Sequence, residues 1–311
     1  TNGVELVNNS NLAIDFNSNG FQLKSSYDEI NVNNGNYIYM AFAGGVDSMS
    51  AFNTTGTIES RVKANPTYGQ SIIQWTGTGA TGTVGTGLTS DAEVVIVKGR
   101  TTTDNWSYSD TIQGGGTVRG GYLNSDGVIN DTGWSSRVDP SSSTANTIGV
   151  YNWDDGNKAN TPMIAYAFHS VAGYSKFGTY TGNGSATGPS VTTGFKPAWV
   201  MIKNAGSSGN GWFIYDNTRN PTNRANHAIA ANSSGAEANY PVVDFDSNGF
   251  QIHGTYGFAN DNGDTYVYMA FADKREYAYW LDQSGKNNDF TSYNLTESYV
   301  SVDNPSNNFA T

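Results

Sequence analysis

The sequence predicts an all-β protein built from tandem antiparallel β-sandwich units of jelly-roll or lectin-like kind. A long internal repeat, two-residue strand periodicity with hairpin dipeptides, and a polar, aromatic-rich composition predict it. Asp15–Ala43 recurs ungapped at Asp244–Ala272, a displacement of 229 positions (244 minus 15). A third, more diverged copy ends at Ile164-Ala165-Tyr166-Ala167-Phe168, matching Val267-Tyr268-Met269-Ala270-Phe271. The spacing gives a period of roughly 100 residues, the size of a self-contained sandwich, whereas solenoid repeats run about 20–50 residues. Chemistry-bearing sites usually occur once in a chain, while spacer and adhesive units are copied.

Strand patterning is clearest at Tyr37–Phe42. Tyr37, Tyr39 and Ala41 alternate with Ile38, Met40 and Phe42, and Val267, Met269 and Phe271 repeat the second set; the face of Tyr37, Tyr39, Tyr266 and Tyr268 is open to packing on a neighbouring unit or chain. Asn19-Gly20, Asn34-Gly35 and Asn248-Gly249 are hairpin dipeptides, because Asn and Gly tolerate the left-handed backbone of tight turns. Val94–Val97 and Val200–Ile202 are short apolar runs expected to be buried on both faces. Helical periodicity is nearly absent; Ala225–Ala238 has room for a turn or two before Asn232-Ser233-Ser234-Gly235 breaks it.

The composition fits turns and strands. Charged residues are only 14% of the chain, while aromatics reach 13% and glycines number 37, a mix that disordered chains lack. The net charge of −11 argues against binding nucleic acid through phosphates, and against anionic membrane surfaces. With no cysteine, disulfides and thiolate metal sites are excluded. No run of about 18 apolar residues is present, so no helical membrane span is expected.

The expected organisation follows the repeat. Residues 1–43 match the C-terminal half of a unit, and 44–70 form a connection rich in Ser, Thr and Gly. Residues 71–172 are the first full unit, 173–272 the second, and 273–311 an extension or linker towards a further domain. Within that extension, Tyr277–Leu281 is a possible strand anchor. The half-unit at the start, and an opening of Thr1-Asn2-Gly3, lead to the expectation of a piece of a longer polypeptide. The N-terminal halves of the two full units also align: Lys98 falls opposite Lys203, Trp106 opposite Trp212 and Asp110 opposite Asp216.

Several segments carry a resemblance. They are His169–Gly178, Tyr180–Gly184, Thr193–Lys203, the Ser247-Asn248-Gly249-Phe250 turn, the Tyr266–Ala272 strand, Trp280–Gly285 and Asp303–Thr311. Together they resemble repeated domains of uncharacterised structural proteins of tailed bacteriophages, especially marine and cyanobacterial ones, which often precede a lectin-like or SPRY-like sandwich. The likeness covers most of 160–311 and reaches 1–43 and 71–160 more weakly. In the first full unit Ser143-Thr144-Ala145-Asn146 replaces the Ser-Asn-Gly-Phe turn. The resemblance implies a virion protein at the particle surface, a tail fibre or another appendage, with other virion proteins and further copies of itself as partners. A trimer is implied by fibre analogy alone. It implies no catalytic residues and no cofactor.

Candidate sites are few. Trp106, Tyr108, Trp212 and Tyr215 follow polar loops and offer faces for stacking on sugars of host glycans; the competing reading is that they fill the core. Asp244, Asp246 and Asn248 place oxygens at alternate positions before Gly249, as a calcium loop does, but the twelfth position is Thr255 instead of Glu. The first copy offers Asp15, Asn17 and Asn19, with Ser26 at the twelfth, and Asn260–Asp264 shares the ambiguity; a hairpin with side-chain caps explains both equally well. His169, His227 and His253 do not recur between copies. Asp154-Asp155 is the nearest approach to a carboxylate pair and lies in a turn-like Trp153-Asp154-Asp155-Gly156. The expectation is a non-enzymatic structural protein, with a lectin module or a capsid decoration protein as alternatives.

Overall fold

The computed structural model describes residues 14–17, 20–23, 28–37, 39–41, 52–114, 116–142 and 146–273. The expectations for 274–311, including the strand anchor at Tyr277–Leu281, lie outside the described residues. The chain divides into two units, Thr1–His169 and Ser170–Thr311.

The first unit opens with a hairpin of β1 (Ile14–Asn17) and β2 (Gly20–Leu23) and a single helical turn, α1 (Asp28–Asn31). Ten strands follow: β3 (Phe52–Asn53), β4 (Ser60–Asn65), β5 (Gln70–Thr76), β6 (Gly82–Gly85), β7 (Val94–Gly99), β8 (Ser107–Asp110), β9 (Arg119–Tyr122), β10 (Val138–Asp139), β11 (Thr147–Val150) and β12 (Pro162–Phe168). They form an antiparallel sheet in the order β3-β4-β5-β12-β7-β8-β9 and a second in the order β10-β11-β6. Ile73, Trp75, Val95, Val97, Met163 and Ala165 of the large sheet pack against Val84, Val138, Ile148 and Val150 of the small one. That is a two-layer sandwich.

The second unit holds β13 (Ser175–Thr181), β14 (Thr187–Thr192), β15 (Pro197–Asn204), β16 (Trp212–Asp216), β17 (Ala225–Ala230), β18 (Ala238–Asp246), β19 (Gly249–His253), a helical turn α2 (Gly257–Asn260) and β20 (Thr265–Ala272). Its strands run β13-β20-β15-β16-β17-β18-β19-β14, all antiparallel, around one core. The run β13-β20-β15-β16-β17 has the order of β5-β12-β7-β8-β9, and β18-β19-β14 has the order of β10-β11-β6. Among the described residues, the pairing of β17 with β18 joins the two layers in this unit alone. The hairpin β1–β2 has the register of β18–β19: Phe16 faces Phe21 as Phe245 faces Phe250, and α1 follows as α2 does.

The same contact wires both units internally. Asn157 accepts the Thr78 N–H through Oδ1 (3.1 Å) and donates through Nδ2 to the Ala80 carbonyl (2.6 Å). Asn260 accepts the Asn183 N–H (2.8 Å) and donates to the Ser185 and Gly254 carbonyls (2.8 and 2.7 Å). Both asparagines are fully buried, and each ties the backbone of exposed loop residues, Thr78 and Ala80 in one unit and Asn183 and Ser185 in the other, to its unit's interior. The chain passes so close here that a Cβ on Gly77 would overlap the Lys158 carbonyl, and one on Gly182 the Asp261 carbonyl. Buried Lys98 and Lys203 likewise donate to carbonyls, of Thr102 and of Asn204 and Asn210.

Four expectations change. Residues 44–70 are more than a connection, because β4 pairs along its whole length with β5 and carries half-buried Val62 and Ala64 onto the core. Tyr37 and Tyr39–Ala41 are not in a strand; their counterpart β20 is central, paired with β13 and β15, and no such neighbours stand beside residues 37–41 among the described residues. Ala225–Ala230 is a strand instead of a helical turn, because Ala225 and Ala228 are small enough to lie against the core in the pairing with β18. Tyr266 and Tyr268, whose face was open to packing on a neighbouring unit or chain, point into their own unit's core. Tyr266 stacks on Tyr180 at 4.9 Å and its hydroxyl donates to the Gly257 carbonyl (2.8 Å). A tyrosine can enter a core when its hydroxyl finds a carbonyl.

Candidate functional site

Three of the four nominated sugar platforms are core residues. Tyr108 and Tyr215 are 0% exposed and Trp212 is 1% exposed. Tyr215 packs in the second unit's core and its hydroxyl donates to the Tyr240 carbonyl (3.3 Å), while burial pushes its pKa well above the phenol range. Trp106 is half-buried and stacks on Tyr166 at 6.4 Å. Covered sheet faces explain this. β8 is buried at every residue, and β16 at Trp212, Tyr215 and Asp216, while Trp106 stands just before β8.

Of the calcium candidates, Asp246 is exposed at the end of β18, and the Asp244 carboxylate meets His253 Nε2 at 2.8 Å and Arg224 Nε at 3.6 Å, so side chains already engage it. The Asn248 carbonyl accepts the Thr193 N–H (3.1 Å), as a hairpin tip does. In the related loop, Asp264 accepts from Asn204 Nδ2 (2.8 Å) and Ser207 Oγ (2.7 Å). Among the described residues no three His, Asp or Glu side chains converge in a metal-binding group. Asn19 and Ser26 of the first copy lie outside the described residues. His227 Nδ1 lies 2.7 Å from Glu237, and His169 is half-buried at the end of β12.

The matched aspartates differ in setting. Asp216 is bridged by Arg219 Nε at 2.6 Å. Asp110 is wholly buried and accepts the Ile112 N–H and Gln113 Nε2 instead. Burial pushes the Asp110 carboxyl up to about 6, against the opposing hydrogen bonds and the Arg119 charge. A raised folded-state pKa means that the folded protein holds this proton more tightly than the unfolded chain does. Asp110 therefore imposes no cost below the ordinary carboxylate range; its cost grows as pH rises through the folded pKa and is constant above it. The size is on the order of 3 kcal/mol. Asp110→Asn removes the titration. Urea unfolding at about pH 3.5 and about pH 7 is expected to show the variant gaining roughly 3 kcal/mol on the parent between the two conditions. A difference that does not change with pH contradicts it.

An open cleft of about 350 Å³ lies elsewhere in the first unit, lined by Asp104, Asn105, Tyr122, Arg137, Trp153 and Asp154 among others. The turn Trp153–Gly156 places Trp153 at its mouth, 45% exposed, with Asp155 buried beneath. Arg137 is the keystone. Its Nη1 donates to Asp155 Oδ2 and to the Tyr122 hydroxyl, both at 2.8 Å. Its guanidinium lies 4.2 Å from the Trp153 ring centroid and 4.9 Å from that of Trp134. Burial and the Asp155 charge push the Tyr122 hydroxyl above its ordinary pKa, so it stays protonated. Lys158 reaches Asp104 (3.1 Å) and Asp154 (3.3 Å). Such a site offers an aromatic edge, fixed donors and exposed carboxylate oxygens. Sequence reasoning registered the turn but missed Arg137, which no local spacing links to Trp153.

Comparison with known proteins adds one match. Residues 44–275 match the model described as Domain of unknown function (DUF7483), a stretch that takes in all of β3 to β20. No curated protein and no solved structure matches the chain. Since the match covers well over half of its 311 residues, the chain belongs to the DUF7483 family.

Proposed function

We propose that this chain is a non-enzymatic structural protein of a phage virion, a tail fibre or another surface appendage that displays sites to host-surface glycans. One strand order used by both units, with an equivalent buried asparagine clasp in each, carries the reading. A scaffold that spaces and presents is built by copying a stable core, and three of the four nominated aromatics are buried in the units. The resemblance to tailed-phage structural proteins supplies the setting. In it the chain associates with further copies, as a trimer in the fibre form, and with other virion proteins. A carbohydrate-binding module is a second reading, favoured by the Trp153 cleft.

Antibody raised against the chain is expected to label purified particles of the encoding phage at the tail or its appendages in gold-labelled electron micrographs. Cross-linking there is expected to give multiples of the single band that the same antibody detects without cross-linker. Label over the head identifies a capsid decoration protein instead. Absence of its peptides from the purified particle overturns the reading.

A further inference from the structure

We propose that the cleft at Trp153 is a subsite for a neutral sugar ring of a host polysaccharide. It rests on the display reading above and gives it a site. The first support is a contrast between the units. The Trp153 carbonyl accepts the N–H groups of Gly156 and Asn157 (3.0 and 2.9 Å), and the Tyr256 carbonyl accepts those of Ala259 and Asn260 (2.9 and 2.7 Å). The two aromatics therefore hold the same position in the same turn, four residues before the clasp asparagine. Tyr256 is packed there between Tyr240 and Phe258, at 5.4 Å from each, against the core. Trp153 is instead turned out to solvent. A position that serves packing in one unit is open in the other.

Rigidity is the second support. An exposed indole on a turn ordinarily loses rotamer freedom on binding, which weakens a ligand's hold. Here Arg137 braces one side of the ring and is itself fixed by Asp155 and Tyr122, so that cost is already met in the free protein. The exposed remainder of the indole suits the C–H face of a pyranose. Asp154, whose side chain is 73% exposed, and Asn152 stand beside it to accept or donate at hydroxyls.

Charge selects the sugar class. Asp104, Asp154 and Asp155 outnumber Arg137 and Lys158, and Arg137 is engaged with Asp155. A uronate or sialylated ring would bring a further negative charge to a site with a carboxylate excess; a neutral hexose or N-acetylhexosamine would not.

Calorimetric titration of the whole chain with maltohexaose, cellohexaose, laminarihexaose, mannohexaose, chitohexaose and hexagalacturonate tests this. At least one neutral hexasaccharide is expected to bind, with Trp153→Ala weakening it about tenfold or more. Asp154→Asn, at an exposed carboxylate, is expected to weaken it about threefold and keeps the test valid if the tryptophan variant does not fold. Hexagalacturonate is expected to bind at least about tenfold more weakly than the best neutral ligand. The proposal is overturned by no neutral binding up to about 10 mM, by unchanged affinity in both variants, or by preference for the acidic oligomer. Particle labelling is independent of these titrations, so failure of the subsite and failure of the virion reading are told apart.

Discussion

Replacing Asn260 by alanine is expected to destabilise the second unit by about 2–4 kcal/mol. The buried side chain makes three hydrogen bonds, to Asn183, Ser185 and Gly254. Alanine removes all three, each worth about 0.5–1.5 kcal/mol net. The loss falls where the glycine-rich loop Thr181–Gly184 crosses the α2 turn, so the two segments would separate together. Urea unfolding followed by near-ultraviolet circular dichroism is expected to show one transition moved to lower denaturant and the other in place. Asn157→Ala is expected to move the other one. A shift of less than about 1 kcal/mol in both variants would remove the clasp from the architecture.

Tyr215→Ala is the second large effect, at about 3–5 kcal/mol. The ring sits in the second unit's core with Val200, Ala228 and Phe245 as fellow members, and truncation opens a cavity that the paired strands on either side cannot close. Tyr215→Phe keeps the ring and loses only the 3.3 Å bond to Tyr240, so it is expected to cost about 1 kcal/mol. The pair separates the two roles weighed for this residue. A sugar platform would lose ligand without losing stability; a core residue does the reverse. An alanine variant as stable as the parent would return Tyr215 to the surface.

The strands of the second copy were legible because period-two alternation and Asn-Gly turns are local; the same alternation at Tyr37–Ala41 misled, because alternation alone supplies no paired neighbour. Val94–Val97 and Val200–Ile202 were correctly placed as doubly covered strands, since nothing else accommodates unbroken apolar runs so short. The direction in which the alternation faces was not legible. Tyr266 and Tyr268 go inward because carbonyls such as that of Gly257 wait for a hydroxyl, a fact set by chain segments elsewhere. Ala225–Ala230 deceived for the same reason, since alanine fits a helix equally well until a neighbouring strand claims it. Two of the sites suffered more. Trp212 and Tyr215 carry the composition of a sugar platform, and only the burial of their faces within the fold excludes it. The cleft depends on Arg137 meeting Trp153 and Asp155 through the fold, and the sequence between them carries no trace of that meeting.

The central claim is that one sheet order, used by two units, supplies the rigid scaffold. Hydrogen exchange on the intact chain, read by mass spectrometry, measures it directly. The slowest amides are expected in matched pairs, Val94–Gly99 with Pro197–Asn204 and Pro162–Phe168 with Thr265–Ala272. Slow exchange in only one member of each pair, with its counterpart exchanging as fast as the loops, would contradict it.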